Sequence, residues 1–97
     1  MLAYYVILWN FTEQGIKNLK DSLHSIEIFR GYTERRGNSY HGSFFSFGQY
    51  DGVSLVESDD DNTVRYDLSQ AEKQGNVRST TLKSITLEEA IKLAETI

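Results

Sequence analysis

Residues 3 to 10, Ala-Tyr-Tyr-Val-Ile-Leu-Trp-Asn, are apolar at odd and even positions alike. Successive side chains of a strand point to opposite faces, so this run predicts a central strand that needs cover on both sides. The period then changes from two to three and four. Ile16, Leu19, Leu23 and Ile26 recur at helical spacing behind Thr12, a residue suited to an N-cap, and Phe29 and Tyr32 extend the stripe. Lys20-Asp21-Ser22 interrupts it, with Ser22 placed to cap a second segment, and Gly37-Asn38 ends it behind Arg35 and Arg36. The expectation is a bent or two-part helix from about Glu13 to Arg36, buried along that stripe.

Ser39 to Phe47 then reads as a second strand and Gly52 to Glu57 as a third, joined by a turn over Gly48 to Gly52 whose glycines suit positive φ. Ser58-Asp59-Asp60-Asp61-Asn62 supplies capping residues for a helix with a narrow apolar face, Val64, Leu68 and Ala71. Gly75 suits the position after that helix, and residues 76 to 84 form a more polar strand fit for a sheet edge. Thr86 and Glu89 have capping-box spacing, with Leu87, Ile91 and Leu93 or Ala94 available for the last helix to bury. The order βαββαβ plus a C-terminal helix predicts one α+β domain over residues 1–97 with a ferredoxin-like fold. Its four-stranded antiparallel sheet would carry both main helices on one face, with strands one and three in the middle.

That architecture leaves an apolar face without a partner. The first strand sets Tyr5, Ile7 and Trp9 against Tyr4, Val6 and Leu8, and the second sets Tyr40 and Phe44 against Phe45 and Phe47. Helices on one face cannot cover both sets, so the expectation is a homodimer or larger even oligomer joined through the bare face. Composition removes other options. A net charge of −4 with interspersed signs offers no basic stripe for nucleic acid. The chain has no cysteine, two histidines in different local settings, and an acidic run out of calcium-loop register, with Gln70 where a bidentate Glu would stand. No metal site and no cofactor are therefore expected. The N-terminal apolar run lacks a basic flank and is too short to span a bilayer, which points to a cytoplasmic protein without a membrane partner.

Four residues are candidates for chemistry. His41, on the second strand, is placed to act as a general base or ligand, although no partner at a fixed spacing supports it. Tyr50 and Asp51 put a phenol beside a carboxylate in the hairpin turn. Either they orient a polar ligand or transfer a proton, or Asp51 accepts N–H bonds within its own turn while Tyr50 packs on a helix. Arg78, on the fourth strand, either binds a carboxylate or guards an edge. No phosphate loop, nucleophile elbow or dinucleotide fingerprint is present.

The turn also carries a resemblance. Gly48-Gln49-Tyr50-Asp51 resembles the signature of the GYD domain family, small proteins of largely unassigned biochemical role, and Asn10-Phe11-Thr12-Glu13-Gln14-Gly15, Lys20-Asp21-Ser22 and residues 75 to 82 are similar to the family's pattern. Phe44-Phe45-Ser46-Phe47 departs from it, standing where the family tends to have Tyr-Trp-Thr-Leu, and residues 59 to 74 are more polar than its usual helix. The resemblance implies a dimeric α+β barrel. Three functions follow as expectations: a small-organic-ligand-binding or oligomerisation module, a cofactor-free monooxygenase- or isomerase-like enzyme using His41, Tyr50 or Asp51, or a structural subunit without a ligand.

Overall fold

The computed structural model describes residues 2–97. Its elements are β1 (Ala3–Phe11), α1 (Glu13–Lys17), α2 (Leu19–Arg35), β2 (Ser39–Phe45), β3 (Gly52–Ser58), α3 (Asp61–Glu72), β4 (Val77–Ser84) and α4 (Leu87–Glu95). The strands form one antiparallel sheet in the order β2-β3-β1-β4, so the ferredoxin-like arrangement is present, with strands one and three inside and β4 at an edge.

Alternation along β1 divides the molecule. Ala3, Tyr5, Ile7 and Trp9 are buried beneath the helices with Val56, Phe29, Val64 and Leu68. Trp9 is fully enclosed, packs edge-on against Phe29 at 5.6 Å between ring centres, and donates its indole N–H to Ser54 Oγ at 2.8 Å. The other face, with Tyr4, Val6 and Leu8 beside Val53 and Leu55, is only half-buried. β2 contains a bulge between Tyr40 and Gly42, which changes which side chains share a face. Tyr40 joins the helix side opposite Val56, whereas Phe44 stands opposite Val53 on the open side; the expected pairing of Tyr40 with Phe44 on one face is thereby corrected.

The long helix is indeed in two parts, but the break falls at Asn18, whose φ of −125° and ψ of 56° lie outside the helical region. Ser22 does not recap it. It is buried inside α2, where its hydroxyl donates to Gly15 O at 2.8 Å. The buried face of α2 is also rotated from the predicted stripe: Ser22, Ser25, Ile26, Phe29 and Thr33 face inward, while Ile16, Leu19 and Leu23 remain exposed. Small hydroxyl residues win the interior because their hydroxyls bond within the helix, Ser25 to Asp21 O and Thr33 to Phe29 O, and leave the backbone room to approach.

Two sequence stretches far apart in the chain clasp each other at one end. Thr12 caps α1 through Gly15 N and also donates to Gly75 O at 2.6 Å, Thr12 N donates to Asn76 O, and Gln14 Nε2 reaches Gln74 O and Asn76 Oδ1. Gly75 holds φ at +80°, as its place after α3 predicts. At the other end of α3, Arg36 grips the buried Asp67 carboxylate through both oxygens, at 2.8 and 3.0 Å, and fixes the end of α2 against α3. The capping box on α4 forms as expected, yet that helix buries none of its residues.

A Cβ on Gly15 would lie 1.9 Å from Asn76 O, a backbone atom that cannot yield without opening the clasp. We predict that Gly15→Ala costs about 1–3 kcal/mol in urea unfolding. A melt indistinguishable from the wild type would show that the clasp does not constrain this glycine.

Candidate ligand-binding site

Between α2 and β2 lies a groove of about 220 Å³, walled by Leu23, Ile26, Phe44 and Phe45 with Ser43 and Glu27 as its polar members. It exists because the buried face of α2 is built on small side chains, which turns Leu23 outward toward the sheet edge. A chain of hydrogen bonds runs from the core to this groove. The Trp9 indole donates to Ser54 Oγ, which lies 2.5 Å from Ser43 Oγ, and Ser43 in turn bonds the Tyr40 hydroxyl. The Arg30 guanidinium covers the Tyr40 ring, 5.6 Å from its centre. Each serine hydroxyl both donates and accepts, so the relay orients Ser43 without leaving a buried polar atom unpaired among the described residues.

The four candidate residues are not gathered into one site. Asp51 acts as a tie: its Oδ2 accepts the Phe11 N–H at 2.8 Å, its own N–H donates to Trp9 O at 2.8 Å, and its carbonyl accepts from Ser46 N at 2.9 Å. The carboxylate thus binds the end of β1 rather than its own turn. Tyr50 is half-buried, and its hydroxyl has no hydrogen-bond partner among the described residues. Gly48 has the expected positive φ of 131°, whereas Gly52 does not and is constrained by space instead: a Cβ there would meet Phe44 O at 3.1 Å and the Trp9 side chain at 3.6 Å.

Arg78 stands opposite Asn10 on the open face, near the same end of β1 as Asp51. His41 occupies the bulge of β2 toward the other end, with Nε2 3.2 Å from Glu57 Oε1 and its ring 5.7 Å from that of Tyr4. Six residues of strand separate Tyr4 from Asn10, about 20 Å at strand rise. Within one protomer, therefore, His41 acts with Glu57 and Tyr4, and not with Tyr50, Asp51 or Arg78.

A second cavity, of about 200 Å³, was not foreseen from sequence and lies where α3 begins. Tyr5 sends its hydroxyl to Asp61 Oδ1, and Lys83 Nζ approaches the same carboxylate at 3.0 Å. Burial pushes the Tyr5 phenol up to about 12, with the hydrogen bond to Asp61 adding to it, while that bond and Lys83 hold the Asp61 carboxyl below its usual range. A phenol so far above neutrality serves as a hydrogen-bond donor and not as a proton-transfer group. Only the alternation of β1 hinted that Tyr5 faces the helices; its partner Asp61 belongs to the acidic run expected to cap α3, where Asp60 takes the cap and leaves Asp61 to meet Tyr5. Among the described residues no group of three histidine or acidic side chains stands where it would hold a metal ion, and no helix is long and apolar enough to cross a membrane.

A profile of the GYD domain family matches residues 5–94, nearly the whole chain and including both clasped stretches and the Gly-Gln-Tyr-Asp turn. The chain belongs to the GYD domain family. Comparison with curated proteins finds no match. Among solved structures the chain is similar to an unknown protein from Galdieria sulphuraria, with a TM-score of 0.55 and 12% identity over 90% of this chain. That match covers 48% of the other chain, so this GYD domain spans about half its length, and the likeness establishes the fold alone.

Two predictions test these roles. Asp51→Ala should cost about 1–2 kcal/mol because it strips the Phe11 N–H of its acceptor, whereas Tyr50→Phe should leave stability within about 0.5 kcal/mol, both read by urea denaturation. Equal stabilities for the two variants would contradict the tie. For Tyr5, the unfolded phenol ionises near pH 10 and the folded one near 12, so its contribution is complete below pH 10 and is lost as pH rises toward 12. The wild type should lose about 1–3 kcal/mol more than Tyr5→Phe between pH 9 and 12. Parallel stability profiles for the two proteins would refute the shift.

Proposed function

We propose that this GYD domain is a homodimeric binding module for a small, mainly apolar organic molecule. The observation that carries the ligand reading is the groove between α2 and β2: four apolar walls, one hydroxyl held in place by the Trp9–Ser54–Ser43 relay, and one carboxylate at Glu27. Such a composition suits a compact hydrophobic body bearing one hydrogen-bonding group. An anionic molecule is disfavoured by Glu27.

Dimerisation is supported by the open sheet face. Tyr4, Val6, Leu8, Val53 and Leu55 form a continuous apolar surface in register across β1 and β3, with Leu82 and Phe44 extending it onto the two edge strands. Apolar area buried there contributes about 25 cal/mol per Å², and the same face meeting itself gives a two-fold axis.

Enzymatic proton transfer is a second reading, favoured by the His41–Glu57 pair. On the open face it would be enclosed once two protomers meet, in a setting where a histidine works as a general base.

The binding reading is tested with a neutral naphthylamine fluorescent probe. Saturable binding of one probe per protomer is expected for the wild type and for His41→Ala, and at least tenfold weaker binding for Leu23→Trp, which fills the groove from a position 40% exposed and so spares the core. Unsaturable binding, or an unchanged affinity in Leu23→Trp, would sink it. Sedimentation equilibrium at micromolar concentration is expected to give twice the 11.1 kDa chain mass, and a clean monomer would refute the dimer.

A further inference from the structure

We infer that the group recognised in the groove is a hydrogen-bond acceptor: the ligand is a neutral apolar molecule carrying a carbonyl oxygen or a pyridine-type nitrogen, which receives the Ser43 proton. This names the ligand class for the binding reading proposed above and rests on it. Ser43 supplies the hydroxyl of the groove, and the groups behind it decide whether that hydroxyl gives or takes.

The direction is set at Trp9. Gly52 stands opposite Trp9 in the register, and a Cβ there would lie 3.6 Å from the indole Cδ1, so the glycine leaves the ring room to lie against β3 with its N–H 2.8 Å from Ser54 Oγ. An indole N–H donates and cannot accept. Ser54 is fully buried, and among the described residues its hydroxyl has two partners, Trp9 and Ser43. Its lone pair takes the indole proton. A buried hydroxyl that donated to nothing would carry the cost of an unmade hydrogen bond, so the Ser54 proton goes to Ser43, 2.5 Å away and directly opposite across β2 and β3.

Tyr40 supplies the second bond, its hydroxyl meeting Ser43 Oγ. A phenol is a far stronger acid than an aliphatic alcohol, so between the two hydroxyls the tyrosine donates and the serine accepts. A serine oxygen has two lone pairs. Ser54 and Tyr40 fill both, which leaves Ser43 nothing to accept with and one proton to give. Ser43 is exposed on the groove wall, so that proton is presented to whatever occupies the groove, and the two bonds it receives polarise it into a better donor.

Glu27 narrows the class further. A carboxylic acid also carries acceptor oxygens, but at neutral pH it is an anion and would meet the Glu27 carboxylate in the same groove, with Arg30 3.9 Å from that carboxylate on the helix surface. Ketones, esters and neutral nitrogen heterocycles satisfy Ser43 without that repulsion. An amine or pyrrole-type N–H finds no lone pair there.

Quinoline and indole test the direction, because they share an aromatic body of similar size while quinoline presents an acceptor nitrogen and indole a donor N–H. Each is titrated as a competitor of the naphthylamine probe at neutral pH, where both are uncharged, in the wild type, Ser43→Ala, Ser43→Thr and Tyr40→Phe. Ser43→Ala is expected to weaken quinoline about fivefold, the worth of one net hydrogen bond, and to leave indole within about twofold, with Ser43→Thr restoring quinoline. Tyr40→Phe frees a lone pair on Ser43 and is expected to tighten indole about threefold. If Ser43→Ala weakens both competitors equally, or neither, the acceptor assignment is overturned while saturable probe binding leaves the groove standing. Unchanged indole affinity in Tyr40→Phe overturns it too, whether or not Ser43→Ala folds. A probe that binds the wild type yet yields to neither competitor has the same meaning, and a probe that does not bind removes the groove reading and this inference together.

Discussion

The constraint on which this structure depends is that β1 is apolar on both faces while the helices cover only one. Its odd residues enter a core closed by Phe29, Val64 and Leu68, and Trp9 anchors that core through Ser54. Its even residues, Tyr4, Val6 and Leu8, lie half-buried on the face that carries no helix of the core. A strand paired on both sides is held in register by its neighbours, so the imbalance cannot be relieved by rotating it.

The same imbalance shapes the groove. α2 lies on the covered face through Ile26, Phe29, two serines and a threonine, and Leu23, which a helical stripe would have buried, turns toward the β2 edge. It meets Phe44 and Phe45 of β2 there. The bulge at His41 matters for the same reason, since it sends Tyr40 inward toward Phe29 and Phe44 outward. Polar residues in this protein act mainly by fixing elements: Asp51 ties the turn to β1, Asp67 holds Arg36, and Thr12 and Gln14 clasp the loop before β4.

These ties gather stretches that lie far apart in the chain at one end of β1. Asn10 to Gly15 and Gly75 to Val77 are distant in sequence and adjacent in space, joined by backbone bonds that tolerate no side chain at Gly15. The turn Gly48 to Asp51 joins the same end of β1. These stretches are therefore one structural junction, while Phe44 and Phe45 line the groove at the free edge of the sheet.

Local rules determined much of this from sequence alone. The element order, the central place of β1, the positive φ at Gly37, Gly48 and Gly75, the Thr12 cap and the Thr86–Glu89 box are short-range consequences of residue type and spacing. So was the mismatch of two apolar faces with one layer of helices. Tertiary structure decided the rest. Which face of α2 is buried depended on how closely it approaches α3 and the sheet, and that favoured Ser22, Ser25 and Thr33 over Leu19 and Leu23 against the hydropathy pattern. The bulge in β2, the reach of Asp51 to Phe11 and the meeting of Tyr5 with Asp61 join residues 11 to 56 positions apart. Periodicity assigns a residue to a face, but only the packed chain chooses which distant group it meets there.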